Sequence, residues 1–201
     1  MSYEGAVSYV DDTDESLVAH YVAGEGRAFD EIVTRYERRV YAVAFRMCND
    51  ADAAKDVTQD VFVSALKTLR KFRGDAQLGT WFHRVAVNSS LDHLRRSKRR
   101  RESGEVDPGV ASTDPGPEEL AAGASRAAEV RRALTKLSDE HRAVLVLCDL
   151  EGCDYAEVSK ALDIPLGTVK SRIHRARLEM ARLLGHLRDP ELAGAPDPLT
   201  E

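Results

Sequence analysis

The residues best suited to chemistry lie between Asp154 and Leu184. Lys170, Ser171, His174 and Arg175 fall at i, i+1, i+4 and i+5, so on a helix they share one outward face near its amino-terminal end. Lys and Arg reach guanine O6 and N7, and Ser and His donate or accept, which is the repertoire for reading base edges in a major groove. Thr168, Arg172 and Arg177 lie beside them, where contact to phosphate is natural. No comparable set supports catalysis: there is no nucleophile elbow, no phosphate loop and no Gly-rich strand–helix turn. His141, Cys148, Cys153 and His174 follow no common ligand spacing, so neither a metal nor a cofactor is expected. The three cysteines read as reduced, buried thiols.

The elements that must position these groups are helices. Asp154-Tyr155-Ala156-Glu157 has the form of a capping box opening a short helix with Val158 and Leu162 inward. Ile164-Pro165-Leu166-Gly167 forces a tight connection, with Pro fixing φ and Gly167 free to take a positive one. Thr168 is placed to cap a second helix from Val169, whose Val169, Ile173, Ala176 and Met180 face a core. Two short helices joined by such a turn form a helix-turn-helix. Upstream, Phe29, Ile32, Val33, Tyr36, Val40, Val43, Ala44 and Met47 keep helical spacing, Asn49 or Asp50 can cap a second helix running to about Lys71, and Gly79-Thr80 precede a third. No segment alternates as a strand does. The fold class is therefore all-α.

A stretch rich in Gly, Pro and Ser divides the chain. The division is an acidic N-terminal extension (1–20), a helical domain (21–101), a flexible linker (102–125), a helix-turn-helix domain (126–188) and an acidic C-terminal tail (189–201). Over 201 residues the formal net charge is −5, an average that conceals segregation. Residues 83–101 carry seven bases against Asp92, and residues 168–188 carry six against Glu179. Residues 1–20, 102–119 and 189–201 carry acids and no Lys or Arg. Paired basic blocks are the electrostatic footprint for phosphate. The first 20 residues lack the basic start and apolar middle of a secretory leader, and no apolar run is long enough to span a bilayer. A cytoplasmic protein without membrane insertion is the expectation.

These motifs carry a resemblance. Leu166-Gly167-Thr168-Val169-Lys170-Ser171-Arg172-Ile173-His174-Arg175-Ala176-Arg177 resembles region 4 of the sigma-70 family, in its extracytoplasmic-function (group 4) class. Ala28-Phe29-Asp30-Glu31-Ile32 with Tyr41, and Asp56-Val57-Thr58-Gln59-Asp60-Val61-Phe62, resemble regions 2.1 and 2.2. Phe72-Arg73-Gly74 with Thr80-Trp81-Phe82-His83-Arg84-Val85-Ala86-Val87-Asn88 resembles regions 2.3 and 2.4. The resemblance spans about 160 residues in family order. Asp154, Ser159 and Asp163 depart from it, standing where Ser or Thr, Ala and Gly are common.

The resemblance implies a non-enzymatic subunit that binds core RNA polymerase and directs transcription initiation. The second domain would bind the −35 element as duplex through Thr168, Lys170, Ser171, Arg172, His174, Arg175 and Arg177. The first would hold the −10 element as single strand through Phe72, Arg73, Trp81, Arg84, Asn88, Arg95 and Arg96. For Trp81 a core anchor, and for Asn88 a helix-packing hydrogen bond, are the alternatives. Asp56, Gln59 and Asp60 would face the clamp helices of β′, or form a solvated acidic face. Leu145 and Leu150 would meet the flap tip of β, or serve the core. An anti-sigma factor, membrane-anchored or not, would clamp both domains. The competing reading is an autonomous helix-turn-helix transcriptional regulator, which requires a sensor pocket within 21–101.

Overall fold

An apolar seam at three- and four-residue steps makes α2 (Gly26–Cys48) the spine of the first domain, with Phe29, Ile32, Tyr36, Val40, Val43, Ala44 and Met47 buried. The computed structural model describes residues 9–72, 74, 77–104 and 122–185. The acidic tail, the centre of the linker (105–121) and Arg73 lie outside them. Asn49 ends α2 at φ 51°, and Asp50 caps α3 (Ala51–Thr68), its carboxylate accepting from the Ala53 amide at 2.8 Å. After a 3₁₀ turn at Leu69–Lys71, α4 (Leu78–Glu102) crosses both helices. It begins just ahead of Gly79-Thr80 because Leu78 is itself buried. Phe82 closes the core, stacked on Tyr36 at 4.9 Å between ring centres and edge-on to Trp81 at 5.0 Å.

The sequence places residues 1–20 outside this domain; the structure folds part of them onto it. Thr13 caps α1 (Asp14–Val22), with Asp14 and Glu15 in a first turn that favours negative charge. Leu17, Val18 and Tyr21 bury against the domain. Asp14 accepts from the Tyr36 hydroxyl and, at 2.9 Å, from Arg35. The linker is likewise shorter than 102–125, because α4 takes in Glu102 and the alanine-rich start of α5 (Ala122–Lys136) is already helical.

In the second domain Ser138 caps α6 (Asp139–Leu145), which widens into one π-helical turn at Val146–Leu150. Next come α7 (Tyr155–Leu162) and α8 (Leu166–Leu183). The two domains touch: α7 lies on α4, and α5 and α6 reach α2. Among the described residues there is no strand and no helix long and apolar enough to cross a membrane.

Candidate nucleic-acid interface

Local chemistry builds α7 and α8 almost as the sequence requires. The capping box is complete: Asp154 accepts from the Glu157 amide at 2.8 Å, and Glu157 accepts from the Asp154 amide at 2.9 Å. The turn differs. Asp163, not Gly167, takes the left-handed conformation (φ 52°), and Gly167 is helical. Asp is among the few residues besides Gly that visit that backbone as single residues. Thr168 does not cap α8 either. Pro165, with its fixed φ, precedes a helix that starts at Leu166, so Thr168 sits inside the first turn and its carbonyl accepts from the Ser171 hydroxyl at 3.0 Å.

Val169, Ile173 and Ala176 are buried, which turns Lys170, Ser171, His174 and Arg175 outward together. Thr168 and Arg172 flank that face, half-buried. Arg177 is differently placed. Its guanidinium grips Asp149 with both arms, at 3.1 and 2.7 Å, tying α8 to the π-helical turn. That bond holds its pKa above the ordinary value.

The first-domain candidates divide into three groups. Trp81 is buried edge-on between Phe72 and Phe82, which makes it a core anchor; Phe72 is half-buried. Arg95 and Arg96 are exposed on α4, Arg84 is half-buried, and Asn88 donates to the Ala161 carbonyl of α7 at 3.0 Å. Asp56, Gln59 and Asp60 are exposed on α3 and line a cleft with His93, Arg96 and Ser97, where Arg96 lies 3.5 Å from Asp60. Of the two leucines, Leu145 is 5% exposed and packs in the core, whereas Leu150 is 39% exposed.

Residues 32–100 match the family model for sigma-70 region 2, and residues 127–180 match that for sigma-70 region 4. The ECF RNA polymerase sigma factor SigM of Mycobacterium tuberculosis is 38% identical over 87% of this chain and 86% of its own length. The ECF sigma-E factor of Escherichia coli is 34% identical over 82% and 91%. This chain is an extracytoplasmic-function sigma factor of the sigma-70 family. Two solved structures share its fold. The sigma factor RpoE in complex with the anti-sigma factor NepR, from Bartonella quintana, has a TM-score of 0.65 at 23% identity, covering 80% of this chain and 98% of that one. CnrH in complex with the cytosolic domain of CnrY has 0.62 at 27%, covering 87% and 99%.

Two clusters of this sigma factor escape sequence reasoning, and both join its domains. Arg142 is buried and donates to the carbonyls of Leu134 (2.8 Å), Thr135 (3.2 Å), Leu137 (3.1 Å) and, across the seam, Met47. One guanidinium thereby serves the carboxyl ends of both α5 and α2. Burial lowers its pKa, and Asp139 opposes that. Glu151 forms the second cluster. It pairs with Arg46, and its other oxygen lies 3.3 Å from His83 Nε2, too far off line for a hydrogen bond. Neither ring nitrogen of His83 has a hydrogen-bond partner among the described residues. No spacing rule links positions this distant in sequence.

Proposed function

We propose that this promoter-recognising sigma factor binds core RNA polymerase, reads the −35 element as duplex with α8 and captures the −10 element as single strand with α4. The observation that carries the reading is the outward quartet Lys170, Ser171, His174 and Arg175, set at the amino-terminal half of a helix whose opposite face is buried. That is the geometry by which a recognition helix presents side chains to a major groove. Thr168 and Arg172 fix register on phosphate. Arg95, Arg96 and Arg84 line α4 for the single-strand backbone, and Asn88 supplies a base-edge donor and acceptor. The exposed face of Asp56, Gln59 and Asp60 suits the β′ clamp helices, and Leu150 suits the β flap tip.

The two solved likenesses are complexes with anti-sigma factors. This supports an anti-sigma partner here as well, one that covers faces needed for polymerase. Membership of the sigma-70 family supports leaving bond making to the core enzyme. The alternative, an autonomous regulator, requires a sensor pocket in the first domain, whose clefts are lined mostly by charged and polar side chains. The test is selection from a randomised duplex pool by holoenzyme reconstituted with this chain. Wild type enriches one upstream element at a fixed distance from the start site. Lys170→Ala with Arg175→Ala loses that enrichment while polymerase binding persists. Equal enrichment by the variant removes α8 from the reading.

A further inference from the structure

Helix α8 is held from both sides. At 3.6 residues per turn, Arg177 and Glu179 stand about 200° apart around it, one on each flank of the buried stripe of Val169, Ile173 and Ala176. Arg177 Nε and Nη2 donate to the two carboxylate oxygens of Asp149, at 3.1 and 2.7 Å. On the other flank, His141 Nδ1 of α6 lies 3.3 Å from a Glu179 oxygen. The buried stripe between them packs by apolar contact, which has no preferred direction. These two polar ties give the packing of α8 its direction. Arg177 makes the two-armed one, with the fixed geometry of a planar fork. Asp149 reaches it from the π-helical turn, where the Glu151 amide bonds back to the Val146 carbonyl at 3.0 Å and the Cys153 amide to that of Leu147 at 2.9 Å. Rotation matters because the reading groups stand away from the axis. A turn of about 20° moves atoms about 5–6 Å from the axis by about 2 Å, enough to break a bidentate bond to a base. The same tie occupies a charge. Arg177 is 42% exposed and lies two turns beyond Lys170 on one flank. Freed of Asp149, it is one more cation beside the duplex. Exposed pairs of this kind add little to stability, so what Asp149 supplies is direction.

We propose that Asp149 is a specificity-determining positioning residue: by gripping Arg177 it fixes the rotation of α8 over the −35 element and withholds one arginine from phosphate. The duplex is then read at its base edges and not merely held by charge. The proposal rests on the −35 reading of α8 given above. Loss of the Asp149 carboxylate has two effects of opposite sign. The quartet Lys170, Ser171, His174 and Arg175 loses its register, and preference for the right element falls. Arg177 is released to the backbone, and affinity for every duplex rises with a steeper dependence on salt, because a phosphate contact carries no sequence information. A residue that only stabilised the fold would lower both preference and affinity.

The experiment uses holoenzyme reconstituted from core RNA polymerase and the full chain. The probes are a labelled duplex bearing the upstream element that wild type enriches and the same duplex with that element scrambled. Fluorescence anisotropy reads binding over a salt series from about 50 to 200 mM. Asp149→Asn removes the charge and keeps the side-chain shape. Arg177→Gln breaks the tie from α8 and leaves no free cation, and it carries the test of preference if Asp149→Asn loses helicity by circular dichroism. Glu140→Gln, exposed on α6, matches the charge change of Asp149→Asn. The expected result is a preference for the element about five- to tenfold lower in both tie variants. Only Asp149→Asn binds the scrambled duplex about three- to eightfold tighter, with a salt slope steeper by about 0.9. Glu140→Gln matches wild type. Full preference in both tie variants overturns the positioning. Weaker binding of both duplexes by Arg177→Gln, with a shallower slope, puts Arg177 on phosphate already and overturns the withholding. Lost preference in Asp149→Asn without the steeper slope reduces Asp149 to a structural support and overturns its role in specificity. Wild type that shows no preference for the element is a separate failure, that of the −35 reading itself, and takes the proposal with it.

Discussion

Arg172, Arg175 and Arg177 share a helix and a charge, but their surroundings assign them different work. Arg175 is exposed among the outward quartet, so Arg175→Ala costs about 1–3 kcal/mol of discrimination at one upstream base pair and leaves other positions alone. Arg172→Ala weakens all sequences alike and lowers the salt slope by about 1. Holoenzyme binding to base-substituted promoters over a salt series separates the two. Arg177, gripped by Asp149, ties α8 to the π-helical turn. The cysteines follow the same logic of surroundings. Burial pushes the Cys48 and Cys148 thiols up to about 11 and Cys153 to about 12. At neutral pH this favours the protonated thiol, the less reactive form. A disulfide reagent labels them slowly in the native chain and rapidly in denaturant; rapid native labelling contradicts this.

Helices with strong periodic patterns were legible in advance, because burial of one face leaves a repeat that the chain cannot hide. The seam of α2, the Asp50 cap and the Asp154–Glu157 capping box are of that kind. The errors lie where a second physical demand overrides the local one. Leu17, Val18 and Tyr21 of α1 are embedded among acids that suggest solvent, and Asp163 takes a backbone that Gly usually supplies. Arg142 looks in sequence like one more surface base on an amphipathic helix, yet it is a buried hub. Arg142→Leu removes the guanidinium from four carbonyls, of which that of Leu134 keeps the Leu137 amide at 3.2 Å, and lowers stability by on the order of 3 kcal/mol, a drop in Tm of roughly 6–12 °C by calorimetry.

His83 adds a pH dependence at the same scale. Burial holds its pKa below the ordinary 6.5, with Arg39 and Arg46 acting in the same direction and Glu151 against. The unfolded chain therefore binds a proton there before the folded one does, so this share of stability falls as pH drops below about 6.5 and levels off once the folded imidazole is protonated too. Urea midpoints at about pH 7.5 and 5.5 show the loss, and His83→Gln reduces the difference between them.

At the scale of the whole molecule, two basic helical faces belong to one chain whose domains also hold each other. The outward face of α8 was legible in the sequence, since α8 is a continuous element with one buried side. The −10 candidates were less so: Trp81 serves the core, Asn88 serves the seam, and contacts between residues about a hundred positions apart leave no periodic trace. On the proposed function, the two domains read two elements at a fixed separation while docked on polymerase. The most direct measurement is run-off transcription with purified core RNA polymerase over a promoter library, with and without this chain. The account predicts discrete start sites that appear only when the chain is added and that share an upstream and a downstream element. Initiation no different from that of core alone, or start sites with no shared element, contradicts it.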